Sequence, residues 1–321
     1  MERKADRGKR LIAGLALTGL LFLSIRAFAA DVRVVTRADG LPSEWITAIA
    51  AGDDGIWVGT LDAGIAHLSP NGRVTKVYGT RDGLPAPKIT SLAFFGANLY
   101  AGTEDGLGVF DGFTWNAVRE AGNVLLRNVA LRTEPSGVRL WLGAVNMSGG
   151  LLRFDGKRWQ NLGGEGRGPL NHVQAFAFQG DAAWLGSMNS GVYRKTETEF
   201  QYFVTQDGLP SANVTSLETF GGTVWAGTSR GPARFEAGRW VAFEKPGVFP
   251  MSAVFCLAAS PKALYLGGRE GLARYRDGRF EMLKTKIDDS PLLVGRVNAL
   301  LVRGDTVYAG TSSGLLEIKG W

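Results

Sequence analysis

The chain has 321 residues, with 45 glycines, one cysteine, two histidines and 36 Lys/Arg against 30 Asp/Glu. One cysteine excludes an intramolecular disulfide, and two histidines leave little material for histidine-based metal sites or catalytic triads. Residues 1–29 hold six of the basic and two of the acidic side chains, so the net +6 falls to about +2 beyond them and no basic footprint for nucleic acid survives.

In chain order, the first segment reads as a leader. Arg3, Lys4, Arg7, Lys9 and Arg10 form a basic start, LIAGLALTGLLFLSI covers 11–25, and Ala27-Phe28-Ala29 has the form of a cleavage site before Ala30. This order predicts a secretory signal peptide over 1–29. The apolar run is short against the ~20 residues of a membrane span. The expected location is therefore periplasmic or secreted after cleavage; an uncleaved N-terminal anchor is the alternative.

Beyond it an aromatic–x–Gly unit recurs seven times: Trp57-Val58-Gly59, Tyr100-Ala101-Gly102, Trp141-Leu142-Gly143, Trp184-Leu185-Gly186, Trp225-Ala226-Gly227, Tyr265-Leu266-Gly267 and Tyr308-Ala309-Gly310. The aromatics are 40 to 43 residues apart, the length of one four-stranded propeller blade. In the first repeat, strands over 46–50, 56–60, 65–68 and 73–78 alternate with turns at Asp53-Asp54-Gly55, Asp62-Ala63-Gly64 and Pro70-Asn71-Gly72. The last repeat has only three such segments (297–301, 306–311 and 314–318). Val32-Arg33-Val34-Val35 precedes Asp39-Gly40-Leu41-Pro42 as Val77-Tyr78 precedes Asp82-Gly83-Leu84-Pro85. The fold expected is all-β: one seven-bladed β-propeller over 30–321, closed by an N-terminal strand that completes the last blade. The repeated aromatics are expected between blades, with the glycine two places on allowing close packing.

Three stretches carry a family resemblance: DGLPSEWITAIAAGDDGIWVGTLDAGI (39–65), DGLPAPKITSLAFFGANLYAGTEDGL (82–107) and DGLPSANVTSLETFGGTVWAGTSRG (207–231). Each runs from a Gly-Leu-Pro loop through a Val/Ile-Thr-x-Ile/Leu strand to Trp/Tyr-x-Gly-Thr. This pattern resembles the two-component regulator propeller repeat, whose rings form periplasmic sensors of hybrid histidine kinases. The other repeats drift. The resemblance implies a periplasmic ligand-binding or sensor ring, without phosphotransfer by this sequence. A protein-interaction scaffold is the alternative, and a propeller lyase a further one.

The Gly-Leu-Pro loops and the loops after each second strand are expected on one face. Aligned backward from the aromatics, one slot before the first strand holds Trp45, Lys88, Arg127, His172, Asn213, Ala253 and Arg296. Around a channel mouth these would favour an anion. Trp45, Lys88, Arg127, His172, Asn213 and Arg296 are accordingly the candidate ligand-binding residues. A small anionic or saccharide ligand and a membrane-bound signalling partner are the candidate partners. No catalytic residue, metal site or cofactor is expected. Asp53-Asp54, Glu104-Asp105 and Asp288-Asp289 read as solvated turns, and Cys256, in AVFCLAA, as a buried inert thiol.

Overall fold

The computed structural model describes residues 30–321 except 122–124, 135–136, 145–149, 163–169, 171, 244–248, 284–285, 288–289 and 292–294. The expected leader and Asp288-Asp289 lie outside the described residues.

Seven four-stranded antiparallel sheets form a ring, the blades of a propeller. We letter the strands a to d from the channel outward. Blade I comprises Ile46–Gly52, Gly55–Thr60, Ile65–Leu68 and Val74–Tyr78. Blade II comprises Ile89–Phe95, Asn98–Thr103, Gly106–Phe110 and Trp115–Val118. Blade III comprises Leu126–Glu134, Gly137–Ala144, Leu151–Phe154 and Trp159–Asn161. Blade IV comprises Val173–Gln179, Ala182–Ser187, Val192–Lys195 and Phe200–Phe203. Blade V comprises Val214–Phe220, Thr223–Thr228, Gly231–Glu236 and Arg239–Ala242. Blade VI comprises Val254–Ala259, Leu264–Gly268, Gly271–Arg276 and Arg279–Met282. Blade VII comprises Val297–Arg303, Thr306–Thr311 and Gly314–Lys319, and its strand d is the N-terminal Asp31–Val35. The expected closure is thus present. Arg33 seals it from both sides, donating to Glu317 Oε2 in the neighbouring strand (3.4 Å) and to the carbonyls of Asn71 and Gly72 in blade I (3.2 and 3.0 Å).

The core lies between blades. Seven apolar clusters, one per interface, are built from strand residues of adjacent sheets. The repeated aromatics sit in them: Trp57, Trp141, Trp184 and Trp225 are buried. The glycine of the repeat has a steric cause. A Cβ on Gly59 would stand 2.5 Å from Ile89 Cγ2 of the next blade, and one on Gly310 2.5 Å from Ile46 Cγ2. The threonine that follows is buried, and its hydroxyl closes the b–c turn, as Thr60 Oγ1 does on Gly64 O (2.8 Å).

The Gly-Leu-Pro loops are likewise consumed by structure. Asp39 Oδ2 accepts from the Thr36 backbone N–H (2.9 Å), and Asp82 Oδ2 from Gly79 N–H (2.7 Å), each capping a short 3-10 turn. Gly83 then takes φ +101°, where a side chain would also strike the Trp115 carbonyl. Leu41, Leu84 and Leu209 plug the core.

Inner strands are tied side chain to backbone around the channel. Thr47 Oγ1 donates to Ile89 O (2.6 Å), Asn128 Nδ2 to Gln174 O (3.2 Å), Gln174 Nε2 to Val214 O (2.9 Å) and Asn298 Nδ2 to Ile46 O (3.1 Å). Thr215 Oγ1 makes the same bond to Val254 O. The resulting ring holds loops at both ends on a stiff frame.

Candidate functional site

Every strand a starts at one end of the ring, the loop face, and in five blades the residue after strand b donates its N–H to the carbonyl just before strand a. Leu61 does so to Trp45, Glu104 to Lys88, Met188 to His172, Ser229 to Asn213 and Ser312 to Arg296. The b–c turns also clasp the next loop, Gly64 N–H bonding Pro87 O and Gly314 N–H bonding Glu44 O. Backbone pairing thus sets the position of each mouth residue.

Five of the six candidates, Trp45, Lys88, His172, Asn213 and Arg296, occupy that slot directly before strand a. Arg127 does not. Blade III pairs Leu126 with Ala144 as blade I pairs Ile46 with Thr60, so Leu125 fills the slot and Arg127 takes the bulged position of Thr47. Both strands of the blade III hairpin extend two residues further from the aromatic than in blade I. A turn signal marks where a hairpin bends but not how far its strands run.

The local environments differ. Trp45 is 42% exposed, an uncommon state for this side chain on a rigid strand end. Lys88 lies 3.7 Å from Glu104, an exposed pair of little energetic weight. Arg296 is fixed: its Nε donates to Asn298 Oδ1 (2.6 Å) and its guanidinium stacks 4.1 Å over Phe255. Asn213 Oδ1 accepts from Gln174 Nε2 (3.1 Å). Ala253 is buried. His172 Nδ1 and Arg127 Nε are buried atoms without a hydrogen-bond partner among the described residues. Because Asn298 also bonds Ile46, the order Phe255, Arg296, Asn298, Ile46, Trp45 runs across the seam between blades VI, VII and I.

Other side chains with chemistry lie away from this mouth. His67 Nε2 is 3.2 Å from Asp54 Oδ2, its Nδ1 is 2.9 Å from Thr75 Oγ1, and its ring packs 4.4 Å from Trp57. The Thr75 hydroxyl also reaches the His67 carbonyl (3.1 Å), an acceptor that claims its proton, and Asp54 takes the Trp57 indole N–H (3.2 Å). Thr75 and Asp54 are thus engaged with neighbouring groups, while His67 Nε2 is a buried atom close to Asp54 but without a hydrogen bond among the described residues. Cys256 is buried, its thiol pushed far up by desolvation, which agrees with an inert thiol. Among the described residues no group of His, Cys, Asp and Glu could hold a metal ion.

A row of charges that sequence reasoning missed crosses the blades. The strand c residue opposite each repeat aromatic is His67, Val109, Arg153, Arg194, Arg234, Arg274 or Glu317. The arginines lie over aromatic rings: Arg153 on Trp141 (5.9 Å), Arg194 on Trp184 (5.9 Å) and Arg234 on Trp225 (5.5 Å). Their offset from the aromatic varies with turn length, so no fixed spacing reveals them. Blade VII inverts the pattern, with Glu317 on strand c and Arg33 on the closing strand.

No protein-family model matches the sequence, and no curated protein matches it. Solved structures do resemble the chain. One is the extracellular domain of a protein assigned to hybrid two-component systems, BT3049 of B. thetaiotaomicron (TM-score 0.73, 15% identity, 90% of this chain and 41% of that one). Another is a catalytically inactive virginiamycin B lyase of Staphylococcus aureus with quinupristin (TM-score 0.69, 13% identity, 91% and 100%). A third is PorZ, a surface component of the type-IX secretion system of Porphyromonas gingivalis (TM-score 0.63, 15% identity, 87% and 47%). The likeness is one of fold. The chain spans about two-fifths of the two-component domain it matches. That domain is of the same kind as the proteins whose repeat the Gly-Leu-Pro stretches resemble.

Proposed function

We propose that this ring is a non-enzymatic, ligand-sensing propeller of the two-component regulator type, working outside the cytoplasmic membrane. It binds a small anionic or saccharide ligand at its loop face and passes the event to a membrane-bound partner. The observation that carries this reading is the exposed Trp45 one blade from Arg296, whose cation is fixed by Asn298 and Phe255. An aromatic face beside a held cation matches a sugar ring or flat ligand bearing a negative group. The buried, unpartnered His172 Nδ1 and Arg127 Nε supply further polar atoms across the ring, on blades IV and III. The leader-like segment and the likeness to an extracellular sensor domain support the location and the role. The catalytically inactive lyase of the same fold keeps an enzymatic ring as the competing reading, but His67, the histidine with an acid partner, has its neighbours engaged structurally.

A thermal-shift screen with acidic saccharides, neutral saccharides, peptides and divalent metals tests this. A ligand at 100 times its dissociation constant adds about 2.7 kcal/mol. A shift of about 2–5 °C is expected for a ring of this size. It should be lost in the double variant Lys88→Ala/Arg296→Ala. Silence across the panel would favour the scaffold reading, and crosslinking for a protein partner would follow.

A further inference from the structure

The interfaces between blades are filled unequally. Each repeat aromatic faces a row from the next blade, contributed by its strands a to d. Over Trp57 that row includes Phe94 and Phe110 (ring centroids 6.4 and 5.4 Å), with Trp115 beside them. Over Trp184 it includes Phe235 and Trp240 (4.7 and 5.9 Å), and over Trp225 Tyr275 and Phe280 (4.7 and 6.5 Å). Over Tyr265 of blade VI, the corresponding residues of blade VII are Val302, Val307, Ile318 and Val32. This row carries no aromatic ring, and a cavity of about 1140 Å³ lies beside it on the face opposite the Gly-Leu-Pro loops, with the Trp321 ring on its wall. The comparable clefts between blades II and III and between IV and V measure about 570 and 620 Å³.

The lining has a definite chemistry. Val302, Val307 and Ala263 make an apolar wall. Tyr265 and Trp321, with ring centroids 5.6 Å apart, make an aromatic one, and the Tyr265 hydroxyl is tied to Trp321 O (3.3 Å). Lys262, Arg274 and Arg276 line it against one acid, Asp305. Glu281 holds Arg274 (2.6 Å), which also lies over Trp321 (5.1 Å), so that cation braces the wall. Lys262 has no ion pair among the described residues, and Arg276 has only the exposed Asp277 (3.5 Å).

We propose that this cavity is a second binding site, distinct from the loop-face mouth, for a flat-ring carboxylate. The ring lies in the cavity against Val302, Val307 and the aromatic wall of Tyr265 and Trp321. The carboxylate meets Lys262 and Arg276 at the rim. A flat ring suits the aromatic wall of Tyr265 and Trp321, and a negative charge suits Lys262, which has no ion pair among the described residues.

Isothermal titration of the full chain with 2-naphthoate and with its uncharged analogue 2-naphthamide tests the site. Saturable binding of 2-naphthoate is expected, with 2-naphthamide and the exposed-residue variant Lys262→Ala each weaker by about tenfold, the equivalent of 1.4 kcal/mol. Val302→Phe should abolish binding. It places in blade VII the ring that Phe94 and Phe178 supply at the same register position in blades II and IV, so its melting temperature should equal or exceed the parent's. Three results would overturn the proposal: no saturation by 2-naphthoate, equal affinity for 2-naphthamide, or unchanged affinity in a folded Val302→Phe. Should Val302→Phe not fold, Lys262→Ala decides, and unchanged affinity there overturns the site.

Discussion

Blades I and II meet through stacked rings, whereas blades VI and VII meet through aliphatic side chains and a cavity. At the first interface Trp57, Tyr78, Phe94, Phe110 and Trp115 pack in one cluster. At the second, Tyr265 has Trp321 as its ring neighbour and shares its cluster with aliphatic side chains such as Val297, Val307 and Ile318. Both share the backbone pattern, the repeat glycine and the inner-strand approach. The propeller frame is therefore set by backbone and glycine, whereas the side chains that meet across an interface differ from one pair of blades to the next. The N-terminal strand closes the ring in blade VII, so this cavity-bearing interface adjoins the blade whose strands are not consecutive in the chain.

The largest test of that comparison removes the closure. Deleting residues 30–37 takes away the buried Val35, the half-buried Val32 and Val34 and the Arg33 clamp. Burial of such side chains contributes roughly 1.5–3 kcal/mol each, so a loss of at least about 4 kcal/mol and an open ring are expected in denaturant melts. A deletion variant that melts like the parent would show that closure does not depend on this strand.

The next test weighs the two interfaces directly. Trp57→Ala should cost about 3–5 kcal/mol, because five packed rings cannot collapse onto the space. Tyr265→Ala should cost about 2 kcal/mol, since its neighbours already border a cavity. Equal losses in chemical denaturation would remove the contrast.

A smaller effect sharpens the comparison at a third interface. Opposite the repeat aromatics, strand a carries Ala50, Ala93, Ala130, Ala177 and Ala258, but Glu218 faces Trp225 and Leu301 faces Tyr308. Burial raises the Glu218 pKa, opposed by one hydrogen bond from Thr219 N–H (2.9 Å). With the folded value above the unfolded one, the unfolded chain ionises first. Stability is therefore lost as pH rises from the unfolded value through the folded one. Glu218→Ala should stabilise by about 1 kcal/mol at pH 8 and leave the melting temperature unchanged at pH 3. A pH-independent effect would mean that packing, not charge, sets the difference.

Legibility followed the range of the interactions involved. The blade count, the strand order, the closing strand and the role of the repeat glycine could all be read from the chain, because each rests on turns and alternation within about forty residues. The mouth was legible at Trp45, Lys88, His172, Asn213 and Arg296 as positions, since a constant spacing leads back to them from the aromatic. At Arg127 it failed because the blade III hairpin runs further before it turns. The aromatic-facing arginines were hidden by variable turn lengths, and the fixed state of Arg296 by its dependence on Phe255 from another blade.

The amino-acid sequence by itself thus determined a ring of seven meanders and the strand that shuts it. Period-2 alternation, turn residues and a glycine that lets neighbouring blades approach are local demands on the backbone. Only the tertiary structure decided that Arg33 would reach blade I, that Arg296 would rest on Phe255, and that Tyr265 would face Val302 and Val307 across a cavity. Those outcomes depend on which side chains from separate repeats meet, and side-chain volume and charge across an interface have no signature in the spacing of either strand.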